Sequence, residues 1–221
     1  ARGDHVCLHE PFGEAWYLGE DRRCPPQRSG GPTPGLTFAS VWDDLRSRAA
    51  GSEPVFIKEF PHYVEHLCDD AFLDHFIHSF LIRDPARTLP SMYDKWPDFA
   101  LAETGFLEQR ALFDRLADRQ GKAPPVIDAE DLVADPGAVV AAWCDAVGIE
   151  FLPDALAWTA PEDRAHSWYD NGSWHDNLRT STGLEVPPTD YLPVEADQRM
   201  VAAYEACLPH YEALAAHRIA L

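Results

Sequence analysis

The chain is poor in positive charge. Only 18 Lys and Arg stand against 37 Asp and Glu over 221 residues, a formal net charge of −19. That balance excludes a nucleic-acid partner, because a phosphate backbone is gripped by clustered Lys and Arg. It also sets a condition on any anion site, which must be built from a few converging cations and helix N-termini against an unfavourable field. No uncharged apolar run approaches the roughly 18 residues of a membrane span, so no membrane partner is expected. No signal-peptide pattern opens the residues given. The five cysteines, Cys7, Cys24, Cys68, Cys144 and Cys207, are odd in number and form no C-x-x-C pair. Cys144 and Cys207 fall in helical apolar patterns that suit buried thiols, and a reducing, cytoplasmic compartment is expected. The signatures H-E-x-x-H, G-x-S-x-G, G-x-G-x-x-G and G-x-x-x-x-G-K-[ST] are all absent. His62 with His66, and His75 with His78, have helical metal spacing but no further ligands beside them, so no metal is expected.

What is present is a core. Hydrophobic residues make up 46% of the chain, enough for one sizeable domain over residues 1–221. Short apolar runs predict strands over 5–9, 54–58, 79–82 and 125–128. Helices are predicted over 41–50 with Ser40 as cap, 70–75, 88–96 with Pro90 in its first turn, and 103–120. The last of these carries Phe106, Leu107, Phe113 and Leu116 as its apolar positions and stops at Gly121. Asp135-Pro136 starts a further helix that Gly148 ends, and a final helix spans 196–217 with a kink near Pro209. The Arg-, Pro- and Gly-rich stretch 22–36 reads as a long loop, and 159–193 as irregular. Strands alternating with helices predict a parallel sheet in an α/β domain.

The residues with the most chemistry lie at strand ends. Phe80-Leu81-Ile82-Arg83-Asp84-Pro85 runs an apolar strand into a guanidinium, and Ser91 follows Arg83 by eight residues. A strand end of this kind can aim Arg83 at a phosphate, while the opening turns of the next helix offer a hydroxyl. A salt-bridged strand end before an ordinary helix is the alternative. Val126-Ile127-Asp128-Ala129-Glu130-Asp131-Leu132 is a second strand-end segment, followed by Asp135-Pro136. Together the two segments resemble those of sulfotransferases, which use 3′-phosphoadenosine 5′-phosphosulfate (PAPS). Asn171-Gly172-Ser173-Trp174-His175, with Ser181-Thr182-Gly183 beyond it, is similar to a Gly- and Trp-containing segment late in that family.

The resemblance implies a P-loop-like three-layer sandwich around a central parallel sheet, of bacterial type. It implies transfer of a sulfuryl group from PAPS to a hydroxyl or amine of a small-molecule acceptor, with 3′-phosphoadenosine 5′-phosphate as product. Arg83 and Ser91 then hold the 3′-phosphate, with Trp174, His175 and Arg179 also at the nucleotide. Glu10, or His9 beside it, is the base that deprotonates the acceptor. Lys58 offsets charge on the bridging oxygen. Phe12, Trp16, Tyr17 and His62 line an acceptor pocket, with plain core packing as the alternative for the aromatics. Two departures stand out. Ala129 occupies a place where the family often has an aromatic residue near the adenine, and no phosphate-cradling loop precedes His5. A further upstream strand and loop is therefore expected in the natural protein. Two rival readings stay open, a repurposed relative that binds a nucleotide or partner without transfer, and a kinase-like enzyme. The acceptor's identity and a homodimeric state are not legible in any periodicity.

Overall fold

The computed structural model describes residues 2–159, 181–186 and 190–221. They form a mixed α/β protein with parallel strands, in two compact units.

The first unit covers Arg2–Cys68. It contains β1 (Val6–His9), α1 (Pro11–Leu18), α2 (Phe38–Ala49), β2 (Val55–Lys58) and the short α3 (Pro61–Val64). β1 and β2 pair in parallel, from Val6 opposite Val55 to His9 opposite Lys58. The ladder runs one step further, with the Glu10 N–H donating to the Lys58 carbonyl at 2.7 Å. The chain then turns sharply. Glu10 adopts φ 47° and ψ 56°, the one non-glycine residue with positive φ among those described. Such a conformation costs an L-residue about 1–2 kcal/mol, which the surroundings must offset. Pro11 takes the first helical position, where no N–H is needed. The aromatic stretch after it, given no secondary structure from sequence, is α1, which buries Phe12, Gly13 and Ala15.

α2 begins earlier than the pattern around Ser40 predicts. Its cap is Thr37, whose hydroxyl takes the Ser40 N–H at 3.0 Å, while the Ser40 hydroxyl takes the Thr37 N–H at 2.9 Å. Ser40 thus closes a reciprocal capping box from the third helical position. Residues 22–36 form the predicted loop apart from one helical turn at Pro26–Arg28.

The second unit comprises the described residues after Cys68. Its elements are α4 (Asp70–Leu73), β3 (Phe80–Ile82), α5 (Pro85–Lys95), α6 (Phe106–Gln120), β4 (Val126–Asp128), α7 (Ala129–Ala134), α8 (Pro136–Val147) and α9 (Gln198–Ala215). β3 and β4 are parallel, with Phe80 opposite Val126 and Ile82 opposite Asp128. The two-residue period sorts β3 cleanly, since Phe80 and Ile82 are buried and Leu81 between them is exposed. Phe80 meets Phe113 of α6 edge to face, with centroids 5.5 Å apart. α9 packs on α5 and α6. Leu89 and Met92 of α5 close a core with Phe99, Val194, Met200 and Ala203.

Three expectations are corrected here. α5 starts at Pro85 rather than residue 88, because Asp84 caps it through the Ala86 N–H at 2.7 Å. Pro90 is therefore inside the helix, not in its first turn. Leu107 lies on the solvent side of α6, while Phe106, Phe113 and Leu116 are buried as predicted. Glu130, Asp131 and Leu132 lie on α7, a helix that the strand-then-helix reading did not include. The Asp135-Pro136 start and Gly148 stop of α8 hold, with Gly148 at φ 77° in the left-handed region that favours glycine.

Candidate functional site

In the first unit the register of β1 and β2 brings four ionisable side chains to one corner. His9 and Lys58 are opposite each other at the strand ends, so Glu10 and Glu59 follow them on adjacent chains. The Glu10 side chain is only 7% exposed and pairs with the Lys58 ammonium. His9 Nε2 lies 3.4 Å from the same carboxylate. Lys58 also sits 3.6 Å from the centre of the Phe60 ring, a cation–π contact. The expected base and the expected site lysine are thus partners of each other, not two separate groups. An ammonium against a buried carboxylate favours the ionised acid.

Glu59 carries the strongest perturbation in this corner, and sequence reading did not single it out. Its two oxygens accept the N–H groups of Phe12 and Phe60, each at 2.9 Å. Burial pushes its carboxyl up to about 8, the Glu10 charge adds to that rise, and the two N–H donors and Lys58 oppose it. The signal in the sequence was its place immediately after a strand-end lysine, but its hydrogen bond to the Phe12 N–H depends on α1.

Rings gather beside this corner. Trp16 meets His62 edge to face at 5.7 Å and Tyr63 at 5.6 Å. The Tyr17 and Tyr63 hydroxyls are 3.3 Å apart, and Phe60 lies 5.5 Å from His62. Phe12 is 2% exposed and stacks on Phe38. Trp16, Tyr17 and His62 are half-buried.

In the second unit Arg83 follows β3 and is exposed, and among the described residues it enters no ion pair. Ser91 is half-buried on α5, seven residues into the helix rather than in its opening turn. The hydroxyl nearer the start, that of Thr88, donates to the Asp84 carbonyl at 3.2 Å. An acid already caps this N-terminus, so the helix itself offers an anion little, and the nearby cation is the exposed Arg83. Arg87 pairs with Glu130 at 3.5 Å. Asp128, buried at the end of β4, caps α7 through the Glu130 N–H and accepts the Tyr211 hydroxyl at 2.7 Å. Burial first, then Asp128 and the charges of Asp84 and Glu130, raise the Tyr211 phenol above its ordinary range. Asp128 and Tyr211 were not singled out from sequence, because they lie 83 residues apart. Trp174, His175 and Arg179 lie outside the described residues. Among the described residues, no group of three or more His, Cys, Asp or Glu is disposed to hold a metal ion.

The sulfotransferase domain matches residues 43–218. The chain belongs to the sulfotransferase domain family. The match takes in Lys58, Glu59, Arg83, Ser91 and the Glu130-Asp131-Leu132 segment. Sulfuryl transfer is the activity this family supports in general. The chain is also 32% identical over 146 residues to branched-chain-amino-acid aminotransferase-like protein 2 of Arabidopsis thaliana, covering 63% of this chain and 24% of that protein. It is 31% identical over 143 residues to branched-chain-amino-acid aminotransferase-like protein 1 of the same plant, with the same coverage. The chain thus spans about a quarter of the length of these curated relatives. No solved structure matches it. Among the described residues Arg83 is an exposed guanidinium without a carboxylate partner, the kind of donor a ribose-borne phosphate requires.

Proposed function

We propose that this domain moves a sulfuryl group from PAPS to a hydroxyl or amine of a small-molecule acceptor. The observation that supports it most is Arg83. In a chain with 37 acidic residues, this guanidinium follows a buried strand, is exposed, and has no ion-pair partner among the described residues.

When bound, PAPS supplies a sulfuryl group whose bond to the 5′-phosphate breaks as the acceptor's bond to sulfur forms. Arg83 and Ser91 hold the 3′-phosphate, and Trp174, His175 and Arg179 keep their assignment to the nucleotide by resemblance. Glu10 takes the proton that the acceptor loses, with His9 as the second candidate. Lys58 keeps Glu10 ionised and offsets negative charge left on the bridging oxygen. Trp16, Tyr17 and His62, with Phe12 behind them, offer flat apolar faces that suit an aromatic or lipid-like acceptor. The setting proposed is cytoplasmic. Among the described residues no helix is long and apolar enough to cross a membrane.

A second reading has one observation in its favour. The curated relatives are named for a different group-transfer chemistry, and this chain matches a quarter of their length. That suits a domain that binds a nucleotide or partner inside a larger protein without transferring sulfate. Calorimetric titration with 3′-phosphoadenosine 5′-phosphate and with ADP separates the readings. Selective binding of the former, lost in Arg83→Ala, supports transfer. Preference for ADP supports a kinase-like enzyme, and silence from both supports the second reading.

A further inference from the structure

Glu10 is held in a backbone conformation that an L-residue avoids, so something must fix it. The turn is clamped on both sides, from the last residue of β2 and from the residue after it. Ahead of it, the Lys58 carbonyl takes the Glu10 N–H at 2.7 Å. Behind it, the Glu59 carboxyl takes the N–H of Phe12, two residues on, at 2.9 Å. The Glu59 carboxyl also takes its neighbour's Phe60 N–H, which ties it to the chain leading into α3. One acidic side chain thus satisfies a donor in the first turn of α1 from a different element, a place usually served by a local cap.

We propose that Glu59 is the positioning residue of this corner, aiming the Glu10 carboxylate by clamping the start of α1 and leaving the Lys58 ammonium to Glu10. The inference rests on the reading of Glu10 as the base that faces the acceptor. The charges that act on Glu59 are those of Glu10, just after β1, and of Lys58, the residue before it at the end of β2. α1 meets it through the Phe12 N–H, and His9 touches the cluster through Glu10. Burial keeps the Glu59 carboxyl protonated at neutral pH, with its titration near 8. In that state a single carboxylate, Glu10, draws on Lys58. Once Glu59 ionises, two carboxylates share one ammonium, and the hold on Glu10 loosens. Glu59 therefore links the geometry of the base to pH, and the link works through Lys58.

The test is carbon NMR of the whole chain labelled at the glutamate side-chain carboxyl, with resonances identified from Glu10→Gln and Glu59→Gln. The Glu59 signal is expected to titrate above neutrality. Glu10→Gln should lower its midpoint and Lys58→Met should raise it, each by on the order of one pH unit. The Glu10 signal should show a second inflection at the pH where Glu59 titrates, and Glu59→Gln should abolish that inflection. Glu59→Ala, which removes the acceptor for the Phe12 N–H, should displace the Glu10 signal at pH 6, whereas Glu59→Gln should leave it near the parent position. A residue that only fills space moves neither inflection nor midpoint. Titration of Glu59 in the ordinary range of 4–5, or a Glu10 signal without the second inflection, overturns the proposal even if the alanine variant does not fold. Binding of 3′-phosphoadenosine 5′-phosphate is measured on the same samples. Its absence from the parent protein sinks the transferase reading without touching the NMR result, because that test addresses Arg83 and not this corner.

Discussion

Glu59→Gln offers the sharpest test of how the first unit is held together. The folded chain raises the Glu59 carboxyl from 4.5 to about 8, chiefly by burial. Between those values the folded state keeps a proton that the unfolded state has released. Stability contributed by this group is therefore fully present below pH 4.5 and declines as pH rises towards 8. One proton of difference corresponds to about 1.4 kcal/mol per pH unit in mid-window, or roughly 3 kcal/mol between pH 5 and pH 8. Glutamine keeps the shape and one acceptor oxygen but turns an NH2 toward the second N–H donor. Near pH 5 the variant is therefore expected to be about 1 kcal/mol less stable than the parent. As pH rises the parent loses stability and the variant does not, so the two curves cross and the variant becomes the more stable by about 2 kcal/mol near pH 8. Urea denaturation from pH 5 to pH 9, followed by tryptophan fluorescence, measures this. Trp16 and Trp42 lie in α1 and α2 of the same unit. Taking the difference between variant and parent cancels the titratable groups that do not interact with position 59. A difference that stays flat across this range, or that moves in favour of the parent as pH rises, refutes the protonated Glu59.

Lys58→Met leaves the buried Glu10 carboxylate without its ammonium partner, and a loss of about 1–3 kcal/mol is expected in the same urea assay at pH 7. The loss should shrink at acid pH, where Glu10 becomes protonated. Arg83→Ala should leave the urea midpoint unchanged, because the side chain is exposed and outside every ion pair among the described residues. Its affinity for 3′-phosphoadenosine 5′-phosphate should nonetheless fall about 10- to 100-fold by calorimetry, as expected for losing charge-assisted hydrogen bonds. Thr37→Ala removes one half of the capping box and should cost about 0.5–2 kcal/mol. Ser40→Ala should cost less, since the Thr37 hydroxyl still satisfies the Ser40 N–H. Equal losses at the two positions would argue against the box.

Much of this protein was written locally. Asp135-Pro136 and Gly148 delimit α8 through a side-chain cap, a residue that needs no N–H and a residue free to turn left-handed. Phe80-Leu81-Ile82 announces a strand by its apolar run, and Arg83 falls at its end wherever the strand is placed. These features depend on neighbours a few residues away, so a linear pattern carries them. Boundaries drifted where two local signals competed. Ser40 looked like a cap until Thr37 took that place, and Pro90 looked like a helix start until Asp84 and Pro85 began the helix sooner.

The site corner was decided by pairing at long range. Glu10 and Lys58 are 48 residues apart, and only the parallel register of β1 with β2 makes them partners. The same register puts Glu59 against the start of α1, where burial raises its carboxyl. Sequence named Glu10 and Lys58 as ionisable residues at strand ends, because strand ends are local. It passed over Glu59, whose protonation state depends on which atoms exclude water around it, and those atoms come from another element of the fold.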